Sequence, residues 1–241
     1  MHPDSPSQNE PGAAERPADR ILSALADAVQ GLPGRFVRRI GIDGVDGAGK
    51  TRFADRLADV LRARGENVIR ASVDGFHHAR AVRYRNGRFC PAAFYRDSYD
   101  YQALRRLLFD PLSPGGDGRY VTAAFDHRLD SPVTLQPAQA DPGAILLVDG
   151  IFLHRPELAS YWDWSVLLHI DPNVSVARLI ERDGLPADPL APIHQRYAKG
   201  QQLYFAECMP ARQAAVIIDN NCLAHPRVTA WQMPPASHPQ G

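Results

Sequence analysis

A three-layer α/β fold, with a mostly parallel five-stranded sheet and helices on both faces, follows from three observations on the 241-residue sequence. Strand-like and helix-like segments alternate along the chain, which is the pattern of a parallel sheet covered by helices. The run Ala144-Ile145-Leu146-Leu147-Val148, bounded by Pro142-Gly143 and Asp149-Gly150, is apolar without interruption. Such runs mark central strands buried on both faces. A glycine-rich turn, Gly44 to Thr51, lies between the first strand and a helix.

The elements follow in order. Residues 1–17, rich in Pro, Ser and acidic side chains, and residues 233–241, with Pro234, Pro235 and Pro239, are expected as disordered tails. They would flank one domain spanning 18–232, with a lid around 178–200. Asp19 to Leu32 carries Ile21, Leu22, Leu25 and Val29 at helical spacing, and Pro33-Gly34 ends it. Val37 to Asp43 reads as the first strand, and Phe53, Leu57, Val60 and Leu61 give the next helix its apolar face. Asn67 to Val73, Trp164 to Ile170 and Ala214 to Ile218 supply further strands, with Tyr99 to Leu108, Val174 to Arg182 and Pro192 to Glu207 as helices.

Gly44-Val45-Asp46-Gly47-Ala48-Gly49-Lys50-Thr51 fits G-x-x-x-x-G-K-[ST] in the strand-to-helix setting that motif requires. Gly44, Gly47 and Gly49 permit positive φ and let backbone N–H groups approach a polyphosphate. The helix opening near Gly49 adds its free N–H groups and dipole at the same point. Lys50 supplies a compact charge on a flexible stem, and the Thr51 hydroxyl suits Mg²⁺, which takes oxygen ligands. Residues Gly44 to Arg52 are therefore the expected nucleotide site, with ATP the expected donor.

Three more landmarks carry chemistry. Asp74, in Val73-Asp74-Gly75-Phe76-His77-His78, should lie on the same rim as the glycine loop, because ligands of open α/β sheets bind beyond the carboxyl ends of strands. It reads equally as a proton acceptor for a substrate hydroxyl or as an Asp-Gly turn. Asp149 ends the best-defined strand, where an acid would hold Mg²⁺ directly or through water. Arg178 and Arg182 are four apart on one helical face and could close over phosphates, although Arg182 could instead pair with Asp183 or Glu181. The basic, aromatic stretch Arg83-Tyr84-Arg85-Asn86-Gly87-Arg88 either closes on a phosphate or is a solvated loop.

Composition bounds the rest. Basic and acidic residues balance at 27 each, so no global field recruits nucleic acid or an anionic membrane. Lys50 and Lys199 are the only lysines. Cys90, Cys208 and Cys222 lack metal-ligand spacing and are odd in number, which points away from a disulfide framework or zinc site and toward a reducing cytoplasm. Neither a signal peptide nor a membrane span is expected. A homo-oligomer is compatible with the sequence.

Taken together, the landmarks resemble the uridine kinase and phosphoribulokinase group of P-loop kinases from about Arg39 to Asn220. Asp74-Gly75-Phe76-His77 is similar to that family's D-x-F-[YH], whose Asp is the catalytic base. Val148-Asp149-Gly150-Ile151-Phe152 resembles its E-G-I-[LF] strand, with Asp for Glu. Arg178-Leu179-Ile180-Glu181-Arg182-Asp183 resembles the lid signature R-R-x-x-R-D, with Leu179 for the second Arg. Tyr204-Phe205, Pro210 and Ala215-Val216-Ile217-Ile218 follow its F-x-x-P-x-x-x-x-A-D-x-I-I close. The resemblance implies a P-loop kinase fold, with Asp74, Lys50, Arg178 and Arg182 as catalytic groups and Thr51 and Asp149 at Mg²⁺. A pyrimidine nucleoside acceptor would use Phe76, His77, Tyr95, Phe125 and His127. Phe94 and Tyr95 replace polar groups expected to hold ribose, so a sugar, pantothenate or another hydroxyl compound stays open. So does a nucleotide-binding module without kinase activity.

Overall fold

The computed structural model describes residues 16–33 and 36–232. The expected tails lie outside these residues, except that Pro17 already opens helix α1 (Pro17–Gln30). Proline at a first helical turn loses no hydrogen bond there and brings a preset φ. Leu22, Leu25, Ala26 and Val29 form the buried face of α1.

The sheet is mostly parallel, as the sequence predicts, but has six strands. They are β1 (Val37–Gly44), β2 (Val68–Ser72), β3 (Ala144–Gly150), β4 (Trp164–His169), β5 (Val216–Asp219) and β6 (Arg227–Trp231). Their order is β6-β5-β4-β1-β3-β2, and β6 alone runs antiparallel. That edge strand is largely exposed, so it carries no buried stripe to announce itself. Helix α2 (Lys50–Ala63) crosses from β1 to β2, followed by α3 (Pro91–Asp97), α4 (Pro172–Asp183) and α5 (Pro192–Cys208). The helix expected at 99–108 is shorter: an α turn at Tyr101–Leu104 widens into a π turn at Arg105–Phe109, keeping Leu104, Leu108 and Phe109 buried.

All seven residues of β3 are buried, and they serve two cores by strict alternation. Ile145 and Leu147 pack with Ile40, Ile42, Leu57 and Leu61 beneath α1 and α2. Ala144, Leu146 and Val148 pack with Phe94, Phe152 and Tyr204 on the opposite face. Register then aligns the chemistry. Ile42 pairs with Asp149 and Ser72 pairs with Asp149, so the carboxyl ends of β1, β3 and β2 share one rim. Among the described residues, no helix is long and apolar enough to cross a membrane.

Candidate active site

The glycine loop leaves β1 at Gly44, whose φ is 153° and where an added Cβ would meet the Leu168 carbonyl oxygen at 2.6 Å. Only glycine fits that contact. Gly49 precedes α2 in a left-handed conformation with no capping side chain, which leaves the helix N-terminus open for an anion. Lys50 extends back over the loop, its Nζ donating to the Val45 carbonyl at 2.8 Å. Thr51 Oγ1 donates to Asp149 Oδ2 at 2.7 Å, while Arg70 Nη2 donates to Asp149 Oδ1 at 2.8 Å. The buried Asp149 carboxylate is thus paired on both oxygens.

Two cavities meet above this rim. The smaller, about 300 Å³, is walled by Asp46, Gly47, Gly49, Lys50, Thr51, Arg52, Asp149 and Gly150. The larger, about 1050 Å³, opens toward His77, Tyr84, Phe94, His127, Arg196 and Tyr197. Asp46, Thr51, Asp74, Tyr99, Ile151 and Arg182 line both. Asp74 sits in a short 3₁₀ turn directly after β2, and the Tyr99 hydroxyl donates to its Oδ1 at 3.0 Å. Burial holds the Tyr99 hydroxyl well above its ordinary pKa, with the Asp74 charge adding to this, so it stays a proton donor to that carboxylate.

Electrostatics at the junction follows burial. Asp46 has a raised pKa, chiefly from desolvation, partly offset by Lys50, and its Oδ2 accepts from Gln201 of α5 at 3.0 Å. His77 stacks between Tyr99 and His127, with ring centroids 4.4 and 4.5 Å away. Burial pushes its pKa down to about 4, so it is neutral at pH 7. Its Nδ1 lies 3.0 Å from the Asp74 carbonyl, so the neutral ring donates there and leaves Nε2 as an acceptor.

Residues 39–185, more than half the chain, match the Phosphoribulokinase / Uridine kinase family. The chain belongs to that family. It is 30% identical over 161 residues to the uridine kinase of Schizosaccharomyces pombe, an alignment covering 63% of this chain and 33% of that protein. The match thus spans about a third of the curated relative's length. A thymidylate kinase of Xylella fastidiosa (strain 9a5c) is 30% identical over 154 residues, covering 61% of this chain and 68% of that one. Among solved structures, a chain from Bacillus stearothermophilus described as a possible uridine kinase superposes with a TM-score of 0.66 at 22% identity. That superposition covers 83% of this chain and 97% of the other, and it bears on the fold.

Within this family framework, the structure gathers Lys50, Thr51, Asp74, Asp149 and Arg182 around the smaller cavity. Arg182 both faces the cavities and pairs with Asp183 at 2.7 Å. Arg178 does not reach them. Its guanidinium donates to the carbonyls of Gly47, Asn220 and Asn221 at 2.8–3.0 Å, fastening α4 to the glycine loop.

The acceptor side departs most from the sequence expectation. His77 and His127 line the larger cavity, but Phe76 is fully buried in the core and Tyr95 is 2% exposed, its hydroxyl 3.3 Å from Cys208 Sγ. The 3₁₀ turn directs Phe76 inward, and α3 places Phe94, not Tyr95, on the cavity wall. Phe125 belongs to a two-residue ribbon with Pro132 and is absent from the cavity lining. From the Arg83 to Arg88 segment, Arg83, Tyr84 and Arg88 line this larger cavity, while Arg85, Asn86 and Gly87 are exposed outside it.

Sequence reasoning also missed a buried network below the loop. Asp43, fully buried at the end of β1, accepts from the Gly44 N–H, contacts His154 Nδ1 at 2.8 Å and receives the Tyr204 hydroxyl of α5. His154 Nε2 meets Ser165 Oγ at 2.9 Å. Of these residues, Tyr204 alone carried a signal, through its place in the family's closing motif.

Proposed function

We propose that this protein is an ATP-dependent phosphotransferase acting on the hydroxyl of a small molecule. The observation that carries the reading is that Asp74, Thr51 and Arg182 line both cavities at once, so a donor phosphate in the smaller would meet an acceptor in the larger. Asp74, oriented by Tyr99, takes the acceptor proton as its oxygen bonds to the γ-phosphorus. The bond from the γ-phosphorus to the bridging oxygen breaks, and ADP leaves. Lys50, the loop N–H groups and Arg182 stabilise charge on the transferring group.

The donor set fits Mg²⁺. Thr51 Oγ1 and Asp149 Oδ2 are hard oxygen atoms 2.7 Å apart beside Lys50. Among the described residues no cluster of three or more His, Cys, Asp or Glu could hold a metal ion, and Mg²⁺ bound with phosphates needs only one or two protein oxygens. When bound, the ion would neutralise phosphate charge.

Similarity to a uridine kinase supports uridine or cytidine as acceptor, giving the 5′-monophosphate. The core positions of Phe76 and Tyr95 remove two of the rings that would stack a base, and favour the second reading, a sugar, pantothenate or similar hydroxyl compound. A transfer screen with radiolabelled ATP over nucleosides, sugars and pantothenate tests both. We expect label on a non-nucleoside acceptor. Label on uridine or cytidine alone would restore the nucleoside, and nucleotide binding with no transfer at all would leave a nucleotide-binding module.

A further inference from the structure

The wall of the larger cavity that the nucleotide side does not share is cationic. Arg80, Arg83, Arg88, Arg128 and Arg196 line it, and its one carboxylate, Asp183, is already engaged by Arg182. Arg196 is the informative member. It projects from α5, is 5% exposed, and makes no hydrogen bond and no ion pair among the described residues; its Nε is buried and unpartnered. Its guanidinium lies 4.5 Å from the ring centre of Phe94, 5.4 Å from that of Tyr197 and 5.6 Å from that of Tyr84.

Only the Arg196 Nε is sealed from water, a partnerless burial that three aromatic faces offset in part, while the Nη groups of this otherwise anion-free guanidinium are left to the cavity. Burial lowers the Arg196 pKa without neutralising a group this basic. A second buried guanidinium on the same wall is only weakly engaged. Arg83 is 7% exposed, its Nε is buried without a partner, and its Nη2 reaches only the His127 carbonyl at 3.4 Å and Asp130 at 3.5 Å. Two guanidinium groups with buried, unpartnered Nε atoms thus stand on one cavity wall, the geometry in which forks of this kind receive an oxyanion.

We propose that the acceptor carries a phosphate or carboxylate, held by Arg196 and Arg83 with Arg88 closing from the exposed side, while its hydroxyl is presented to Asp74. The assignment of the hydroxyl rests on the kinase reading above; the anion site does not. Neutral nucleosides lack the group this wall is built to receive. The shared chemistry is a planar or tetrahedral oxyanion at the end of a small hydroxyl compound remote from the reacting oxygen.

Two measurements test this. In the first, the protein is saturated with the non-hydrolysable analogue Mg·AMP-PNP and melted with increasing inorganic phosphate. Tm should rise for the wild type and for Arg85→Gln, whose side chain lies outside the cavity lining and pairs with Asp97. The rise should vanish in Arg196→Met and shrink in Arg88→Gln, an exposed position whose substitution leaves the fold intact should Arg196→Met not fold. Equal rises in all four proteins, or no rise in any, overturn the proposal. In the second, ATP-dependent transfer is compared within matched pairs: pantothenate against panthenol, glycerate against glycerol, ribose 5-phosphate against ribose. The charged member should be preferred by about 10- to 100-fold in kcat/KM, the worth of a charge-assisted bond. Preference for pantothenate or glycerate identifies a carboxylate, and preference for ribose 5-phosphate identifies a phosphate. Equal use of neutral partners sinks the anion site and leaves the kinase standing. A phosphate-dependent Tm rise lost in Arg196→Met, with no transfer to any acceptor, sinks the kinase and leaves the anion site standing.

Discussion

The two halves of the cleft are made differently. The proposed donor half is eight consecutive residues, Gly44 to Thr51, whose groups facing the smaller cavity are largely backbone N–H groups and one helix end, with Asp149 and Arg70 behind them. The proposed acceptor half draws His77, Tyr84, Phe94, His127 and Arg196 from five separate segments, and side chains make up its wall. A site made of backbone is fixed by local conformation and tolerates change around it. A wall of scattered side chains can be re-specified one residue at a time, and such walls set substrate choice.

The sharpest way to break that division is at the point where the halves join. Asp74→Asn should lower kcat by about 10²- to 10⁴-fold, the usual worth of a positioned base, while leaving ATP affinity nearly unchanged. Lys50→Ala should damage both. Full turnover by purified Asp74→Asn would remove the base assignment. Nucleotide titration with steady-state kinetics separates the two effects.

Next in size is a pH effect confined to the acceptor half. The unfolded His77 protonates near 6.5, whereas the folded imidazole, held down by burial, does so at about 4. Its contribution to stability is fully present above pH 6.5 and is lost as pH falls toward 4, by roughly 3 kcal/mol at most. Denaturant melts of His77→Gln from pH 8 to 4 should lack this component. Parallel curves for the two proteins would count against a buried neutral His77.

Below the donor loop, Tyr204→Phe removes a hydroxyl that serves both Asp43 and the His154 N–H, and should cost about 1–3 kcal/mol in chemical denaturation. The smallest effect is expected at Tyr95→Phe. Its hydroxyl meets Cys208 and Glu207 rather than the cavity, so stability should shift by less than about 1 kcal/mol and acceptor KM should hold. A clear rise in KM would return Tyr95 to the substrate.

The donor half was legible because its signal is contiguous and its strand and helix flanks are strongly periodic. The uninterrupted apolar run Ala144 to Val148, bounded by turn residues, made β3 and Asp149 at its end equally plain. Legibility failed where direction depends on tertiary packing. Phe94 and Tyr95 are neighbours in sequence, and only the seating of α3 against Gly200 of α5 decides which meets the cavity: a Cβ at Gly200 would stand 2.5 Å from Phe94 Cδ1. Arg196 gave no sequence signal, because nothing local distinguishes a guanidinium left without a carboxylate from one that finds a partner. The edge strand β6 buries no residue fully and so carried no alternating stripe to register.

Helix α5 touches the site at three heights. Arg196 stands in the acceptor wall, Gln201 holds Asp46 of the glycine loop, and Tyr204 is anchored to Asp43 beneath it. Eight residues of α-helix separate the first from the last, a rise of about 12 Å. The helix therefore acts as a ruler clamped at the loop end. Its other end, seated on Phe94, sets how far from the glycine loop Arg196 stands, and so, on the proposed reading, the length of molecule that fits between that guanidinium and Asp74.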